Sequence, residues 1–140
     1  MSGYFNPLHG GHLDMIEAAS ELGDKLIVIV NNDVQQELKK GKVILNEQNR
    51  ARLIWALKYV DEVIIALDQD STVTKTLKMI AERYPKDELV FANGGDRDSA
   101  KVIPETGVCE DNNIELVFGV GGSKADSSTR INQATGRESL

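Results

Sequence analysis

Short apolar runs alternate with amphipathic stretches along most of the chain, and this alternation limits the possible folds more than any other feature. The run at residues 25–30 (KLIVIV) is short and dense in β-branched residues, which is typical of a strand buried on both faces. Residues 62–67 repeat this signal, and residues 88–92 and 114–118 carry it more weakly. Strands separated by helical periods predict βαβ units, so we expect an α/β fold with a doubly wound parallel sheet.

Helical periods between the strands predict three helices, each with an apolar face at helical spacing. Their ends are predicted from residues that commonly cap helices. The first should end near Gly23, the second should begin near Asn46 or Glu47, and the third should begin at Ser71 or Thr72.

The first strand-like segment, Met1–Phe5, is shorter than a central parallel strand normally is. We therefore expect a five-stranded sheet whose first strand is cut short, which leaves backbone groups of its neighbours without a ladder partner. The sequence contains no linker, internal repeat or low-complexity tract, so residues 1–140 are predicted to form a single domain.

Charge and composition argue against several classes of protein. The formal net charge of −6 argues against broad, sequence-independent binding to nucleic acid or to an anionic membrane. No apolar run approaches the roughly 20 residues that a membrane span needs. The first residues lack the order of a signal peptide, and Cys109 is the single cysteine, so a reducing, cytoplasmic location is expected.

Residues 3–12 (GYFNPLHGGH) follow the first strand and open the first helix. Gly3 would let a ligand approach the backbone, and the helix N-terminus offers N–H groups and a positive dipole end to an anion. His9 and His12 are the only histidines and lie on one face near that end. Two imidazole donors at this place suit a phosphate that gains charge during a reaction. A histidine pair at this spacing could also bind zinc, although the sequence offers no convincing further ligands.

This string resembles the G-x-F-D/N-x-x-H-x-G-H signature of the cytidylyltransferase-like nucleotidyltransferases. That superfamily includes glycerol-3-phosphate cytidylyltransferase and the adenylyltransferase for heptose 1-phosphate. The similarity continues at residues 22–24 (LGD), 31–33 (NND), 94–96 (GGD) and 127–131 (SSTRI). It therefore extends from Gly3 to about residue 131, nearly the whole chain.

The resemblance implies a Rossmann-like fold and a specific reaction. A CMP or AMP group would move from CTP or ATP to the phosphate of a small phosphomonoester, such as glycerol phosphate or a sugar phosphate. Pyrophosphate would leave, and no covalent enzyme intermediate is expected. Mg²⁺ is expected to enter with the triphosphate and to need few protein ligands, so no metal-binding residue is assigned. Relatives tend to be dimers, so a homodimer is expected.

The resemblance also implies roles for individual residues. His9 and His12 would hold the α- and β-phosphate oxygens, while Lys42 and Arg50 would reach the phosphates of the acceptor or of the nucleotide. Lys42 could equally belong to a solvated, lysine-rich loop. The implied nucleotide-binding residues lie near strand ends or helix starts: Gly3, Tyr4, Phe5, Asn6, Gly11, Gly95, Asp96, Lys124, Ser127, Ser128 and Thr129.

Some positions leave alternatives open. Asn6 stands where many relatives have Asp, which removes a charge, and Lys124 stands where relatives often have an Arg–Thr pair. Asp96 would accept hydrogen bonds from ribose hydroxyls, or it would belong only to a tight turn. The choice between CTP and ATP and the identity of the acceptor stay open. The alternative to an enzyme is a nucleotide-binding or regulatory module without turnover, which the short first strand favours.

Overall fold

The computed structural model describes residues 1–40, 42–94 and 103–121. Within these ranges strands and helices alternate. The elements, in chain order, are β1 Ser2–Gly3, α1 Gly10–Ser20, β2 Ile27–Val30, α2 Asp33–Lys40, α3 Glu47–Trp55, β3 Glu62–Ile65, α4 Thr74–Arg83, β4 Leu89–Ala92, α5 Thr106–Asp111 and β5 Ile114–Val117.

All strand pairs in the described residues are parallel, so the predicted α/β class with parallel strands is confirmed. β2 pairs with β1 on one side and with β3 on the other, and β4 pairs with β5. Where a single five-stranded sheet was predicted, the described ladders form one sheet of three strands and one of two. The short β1 accounts for the difference, because it is only two residues long and, within the described ranges, pairs with β2 alone.

Helices cover both faces of the strands, as a doubly wound fold requires. Val28 and Val30 of β2 are fully buried and pack in one core cluster with α1 and α3. Ile29, between them, faces the opposite side and packs in a second cluster with α4, α5 and β4. The alternation of side chains along a strand produces this two-layer arrangement, so β2 is at the centre of the fold.

The predicted helices are present, with two differences at their ends. α3 begins where expected, with Asn46 as its N-cap, while α1 ends at Ser20, slightly before the predicted Gly23. α4 begins at Thr74, and neither Ser71 nor Thr72 is its N-cap. Instead the buried Asp68 carboxylate accepts hydrogen bonds from the backbone amides of residues 75 and 76.

α2 was not predicted. Its two large apolar side chains, Val34 and Leu38, are exposed, while the buried positions are the polar Gln35 and Gln36. A hydrophobic pattern could not reveal a helix whose buried side chains are polar. None of the helices in the described parts of the chain has the length and apolar character of a membrane span.

A groove of about 700 Å³ lies at the amino ends of β2, β4 and β5. Its walls include Leu26, Ile27, Phe91 and Ile114. The amino group of Met1 lies at this groove and donates a hydrogen bond to the carbonyl of Ile27, at 3.0 Å. Burial lowers the pKa of this amino group to about 5, because the charged form has lost its water.

Candidate functional site

The two histidines cap the helix that they introduce. Nδ1 of His9, the N-cap residue of α1, accepts a hydrogen bond from the Gly11 amide at 3.1 Å. Nδ1 of His12 accepts one from the His9 amide, also at 3.1 Å. Because Nδ1 is an acceptor in both rings, the neutral imidazoles must carry their hydrogen on Nε2. This reciprocal capping fixes both rings in the tautomer that offers Nε2 as a donor.

Packing holds the rings in place. The two imidazoles stack with centroids 3.8 Å apart, and the edge of the buried Phe5 ring meets His12 at 5.0 Å. A Cβ at residue 11 would come within 3.1 Å of the His9 ring, so Gly11 leaves space for the cap. Both histidines were predicted from the sequence, and the structure brings them together at the start of α1.

The structure gives a reason for glycine at residue 3 that could not be predicted from the sequence. A Cβ at this position would lie 2.5 Å from Cζ of Phe5, so the ring of Phe5 packs directly against the Gly3 backbone. Phe5 itself has a positive φ of 51°, which is uncommon for a residue with a side chain. The side chain of Phe5 is therefore a support for the loop after β1.

The ring of Tyr4 lies next to a cation of α2. The ammonium of Lys39 lies 4.6 Å from the centroid of the Tyr4 ring. Burial raises the pKa of the Tyr4 phenol, and the negative charge of Glu105 raises it further. Tyr4 therefore keeps its proton at neutral pH.

Asn6 uses its side chain to hold the segment that contains Lys42. Its Oδ1 accepts hydrogen bonds from the amides of Ile44 and Leu45, at 3.0 and 2.9 Å. Its Nδ2 donates to the Lys42 carbonyl, at 3.2 Å. The Asn6 side chain is therefore engaged with this segment, and its predicted role in nucleotide binding stays a prediction. Lys42 is exposed, and its contact with phosphate stays a prediction.

Arg50 is fully buried, which does not support the prediction that it reaches a phosphate. Its guanidinium donates to the carbonyls of Tyr4, Asn31 and Leu45 at 2.7–2.8 Å, and it forms an ion pair with Asp33 at 2.6 Å. It thus joins the ends of β1 and β2 to the segment before α3.

Sequence reasoning assigned no role to the polar residues after β2, which tie that strand to β3. The Asn32 amide donates to the carbonyls of Ala66 and Asp68, and the Gln35 amide donates to those of residues 70 and 72. The run NND directly after a buried strand was the signal available in the sequence. Gln36 is also buried, and neither polar atom of its side chain has a partner among the described residues.

The remaining predicted site residues lie outside the described residues: Gly95, Asp96, Lys124, Ser127, Ser128 and Thr129. The described segments next to them do approach α1. A Cβ on Gly94 would lie 2.5 Å from Cε of Met15, and one on Gly121 would lie 3.1 Å from its Cγ. Both segments therefore reach the helix that carries the histidines.

The family implies magnesium, and the described residues supply no complete coordination site for it. No group of three or more His, Cys, Asp or Glu side chains among them could hold a metal ion. Magnesium bound to a triphosphate keeps several waters and needs few protein ligands, so such a site is not required. The same finding leaves the histidine pair without a third zinc ligand in this part of the chain.

A parallel α/β fold with imidazoles at the N-terminus of a helix, beyond the carboxyl ends of the strands, defines a protein suited to binding phosphate. The comparisons identify the family. The cytidylyltransferase-like family matches residues 1–109, and the chain belongs to it.

Relatives and a solved structure agree with this assignment. FAD synthase from Pyrococcus abyssi is 36% identical over 70% of this chain and 62% of its own length. Ethanolamine-phosphate cytidylyltransferase from Arabidopsis thaliana is 34% identical over 57% of this chain and 20% of its own. The chain thus spans less than two thirds of these relatives. The lipopolysaccharide core biosynthesis protein of Thermoplasma volcanium is 25% identical, with a TM-score of 0.60, over 84% of this chain and 90% of that one.

Proposed function

We propose that this protein is a nucleotidyltransferase that moves a CMP or AMP group from CTP or ATP to the phosphate of a small phosphomonoester. The observation that carries the proposal is the histidine pair, which caps α1 through Nδ1 and so presents Nε2 donors at a helix N-terminus. Membership of the cytidylyltransferase-like family supports the same reaction class.

In the proposed reaction a phosphate oxygen of the acceptor attacks the α-phosphorus of the triphosphate in line. The bond from the α-phosphorus to the bridging oxygen breaks, and pyrophosphate leaves with that electron pair. His9 and His12 donate to the α- and β-phosphate oxygens, where charge moves during the transfer. Catalysis then consists of positioning and charge stabilisation, which requires no covalent intermediate.

Lys42 supplies a positive charge to the same phosphates. Mg²⁺, when bound to the triphosphate, would neutralise phosphate charge and would need few protein ligands. Gly3, Tyr4, Phe5 and Gly11 line the path of the triphosphate through their backbone. The proposal places Gly95, Asp96, Lys124, Ser127, Ser128 and Thr129 around the nucleotide, as the resemblance implies.

The experiment is a pyrophosphate-release assay with each of the four nucleoside triphosphates and a panel of phosphomonoesters. The panel includes glycerol 3-phosphate and sugar phosphates. It also includes ethanolamine phosphate and flavin mononucleotide, because ethanolamine-phosphate cytidylyltransferase and FAD synthase are relatives. Release with one nucleotide and one acceptor class is the expected result. Release with none of the pairs would contradict the proposed nucleotidyltransferase activity.

The second candidate is a nucleotide-binding or regulatory module without turnover. It is favoured by the two-residue β1, which among the described strands joins the loop before His9 to β2 alone. Nucleotide binding in a calorimeter without release of pyrophosphate is the result that this candidate predicts.

We also propose that residues 1–140 act as one domain of a cytoplasmic homodimer, without nucleic acid or membrane as partners. The face for the dimer would include Trp55 on α3, which is 59% exposed beside Ala51, Val63 and Ile65. Sedimentation velocity should give the mass of two chains, and Trp55→Lys should shift it towards one. A single-chain mass for the unmodified protein would contradict the dimer.

A further inference from the structure

The contacts of Asn6 form an unusual arrangement, since one side chain bridges two loops with three hydrogen bonds. It accepts two amide hydrogens, from Ile44 and Leu45, and donates to the carbonyl of Lys42. An asparagine can make this set because it has both an acceptor and a donor. An ionised aspartate accepts only, and one of its oxygens would face the Lys42 carbonyl instead of binding it.

Arg50 holds the same segment from the inside of the protein. Its Nε donates to the Leu45 carbonyl at 2.8 Å, and its Nη1 donates to the Tyr4 carbonyl at 2.7 Å. Tyr4 lies two residues before Asn6, so the loop after β1 and the segment 42–45 are joined at two places. One junction is buried and charged, whereas the other is close to the surface and neutral.

We propose that Asn6 is a positioning residue, which fixes the backbone of Lys42 so that its ammonium reaches the phosphates held by the histidine pair. The buried Arg50 gives this arrangement its rigid base. The proposal rests on the proposed function, because it assigns a role to Asn6 in that same site. It gives the amide at residue 6 a role that requires no charge.

The test compares Asn6→Asp with Asn46→Asp, which makes the same chemical change four residues beyond Lys42. Asn46 caps α3 by accepting the Asn49 amide at 2.8 Å, and an aspartate makes the same cap. The control should therefore leave kinetics unchanged. Asn6→Asp should raise the KM for one of the two substrates about tenfold, which corresponds to the loss of one hydrogen bond.

A double-mutant cycle separates positioning from a general loss of structure. In the background of Lys42→Ala, the further change Asn6→Asp should have little effect, because the charge that Asn6 positions has already been removed. If the fold-change in KM of the double variant equals the product of the two single fold-changes, the residues act independently and the proposal is overturned. The same would follow if Asn46→Asp impaired the enzyme as strongly as Asn6→Asp.

Amide hydrogen exchange gives a readout that does not depend on turnover. Asn6→Ala should increase exchange at Ile44 and Leu45, while Asn6→Asp should leave these two amides protected because the acceptor is retained. If the unmodified protein releases no pyrophosphate, the proposed function fails. The positioning role is then decided by this exchange pattern together with the affinity for the nucleotide, which Asn6→Asp should weaken only when Lys42 is present. Unchanged exchange in Asn6→Ala would overturn it in either case.

Discussion

The two edges of the strands differ in how their polar groups are satisfied. At the carboxyl edge, Arg50, Asn6 and Asn32 each bind two or more backbone groups from segments distant in sequence. At the amino edge lies a groove of about 700 Å³, where the buried Met1 amino group binds a single carbonyl. The comparison indicates that the edge carrying the site is preorganised, whereas at the opposite edge a groove lies between β2 and β4.

The largest effect should come from breaking the carboxyl edge at its buried charge. Arg50→Met removes the partner of Asp33 and the donor to three carbonyls, so the free energy of unfolding should fall by about 3–5 kcal/mol. Urea denaturation measures this change. Arg52→Met, on the exposed side of the same helix, is the matched control and should change stability by less than about 0.5 kcal/mol. Equal effects from the two variants would show that the edge does not depend on Arg50.

The buried amino group at the amino edge should make the free energy of unfolding depend on pH. The pKa of the Met1 amino group is about 5 in the folded protein against 8.0 ordinarily, so between pH 5 and 8 the unfolded chain binds more protons. Stability contributed by this group therefore rises with pH across that window, by up to about 4 kcal/mol for three units. Above pH 8 the group contributes nothing further.

Acetylation of the Met1 amino group provides the comparison. It removes the charge and keeps the N–H that donates to Ile27. The charged side chains along the groove include Asp24, Lys25, Lys86, Asp87 and Glu88, all exposed, and they are the same in both forms. The difference between the two stability curves should rise as pH falls from 8 to 5. Parallel curves would mean that the amino group is hydrated.

A smaller effect should follow from filling the groove. Four β-branched residues added before Met1 could continue β1 beside β2 and bury apolar surface against Phe91 and Ile114, for a gain of about 2 kcal/mol after the cost of ordering the chain. A Gly-Ser extension of the same length should give no gain. Thermal unfolding distinguishes the two extensions. Identical melting temperatures would show that filling the groove at the amino edge does not stabilise the fold.

The strands were predictable because their apolar runs are local signals, and all four runs contain a strand in the structure. Helix ends were predictable only where the cap is local, as at Asn46. The cap of α4 comes from Asp68, six residues before the helix begins, so no capping pattern reveals it. α2 was missed because it buries Gln35 and Gln36 instead of apolar residues.

The residues of the site also fall into two groups, those with a local signal in the sequence and those whose role depends on distant contacts. His9 and His12 could be predicted because their spacing, the glycines and the helix start belong to one short segment. The role of Arg50 could not, since its carbonyl and carboxylate partners lie 5 to 46 residues away in sequence. A motif specifies which residues meet a ligand, whereas the contacts that position them come from tertiary packing.

The most direct test of the central claim is pyrophosphate release by two variants of His12. His12→Ala should lower turnover by about 10²–10³. His12→Glu restores an acceptor for the His9 amide, as in a capping box, but offers no donor to phosphate. We expect His12→Glu to match the unmodified protein in thermal stability and to be as inactive as His12→Ala. Near-normal turnover in His12→Glu would show that the residue only caps the helix, and would contradict the account.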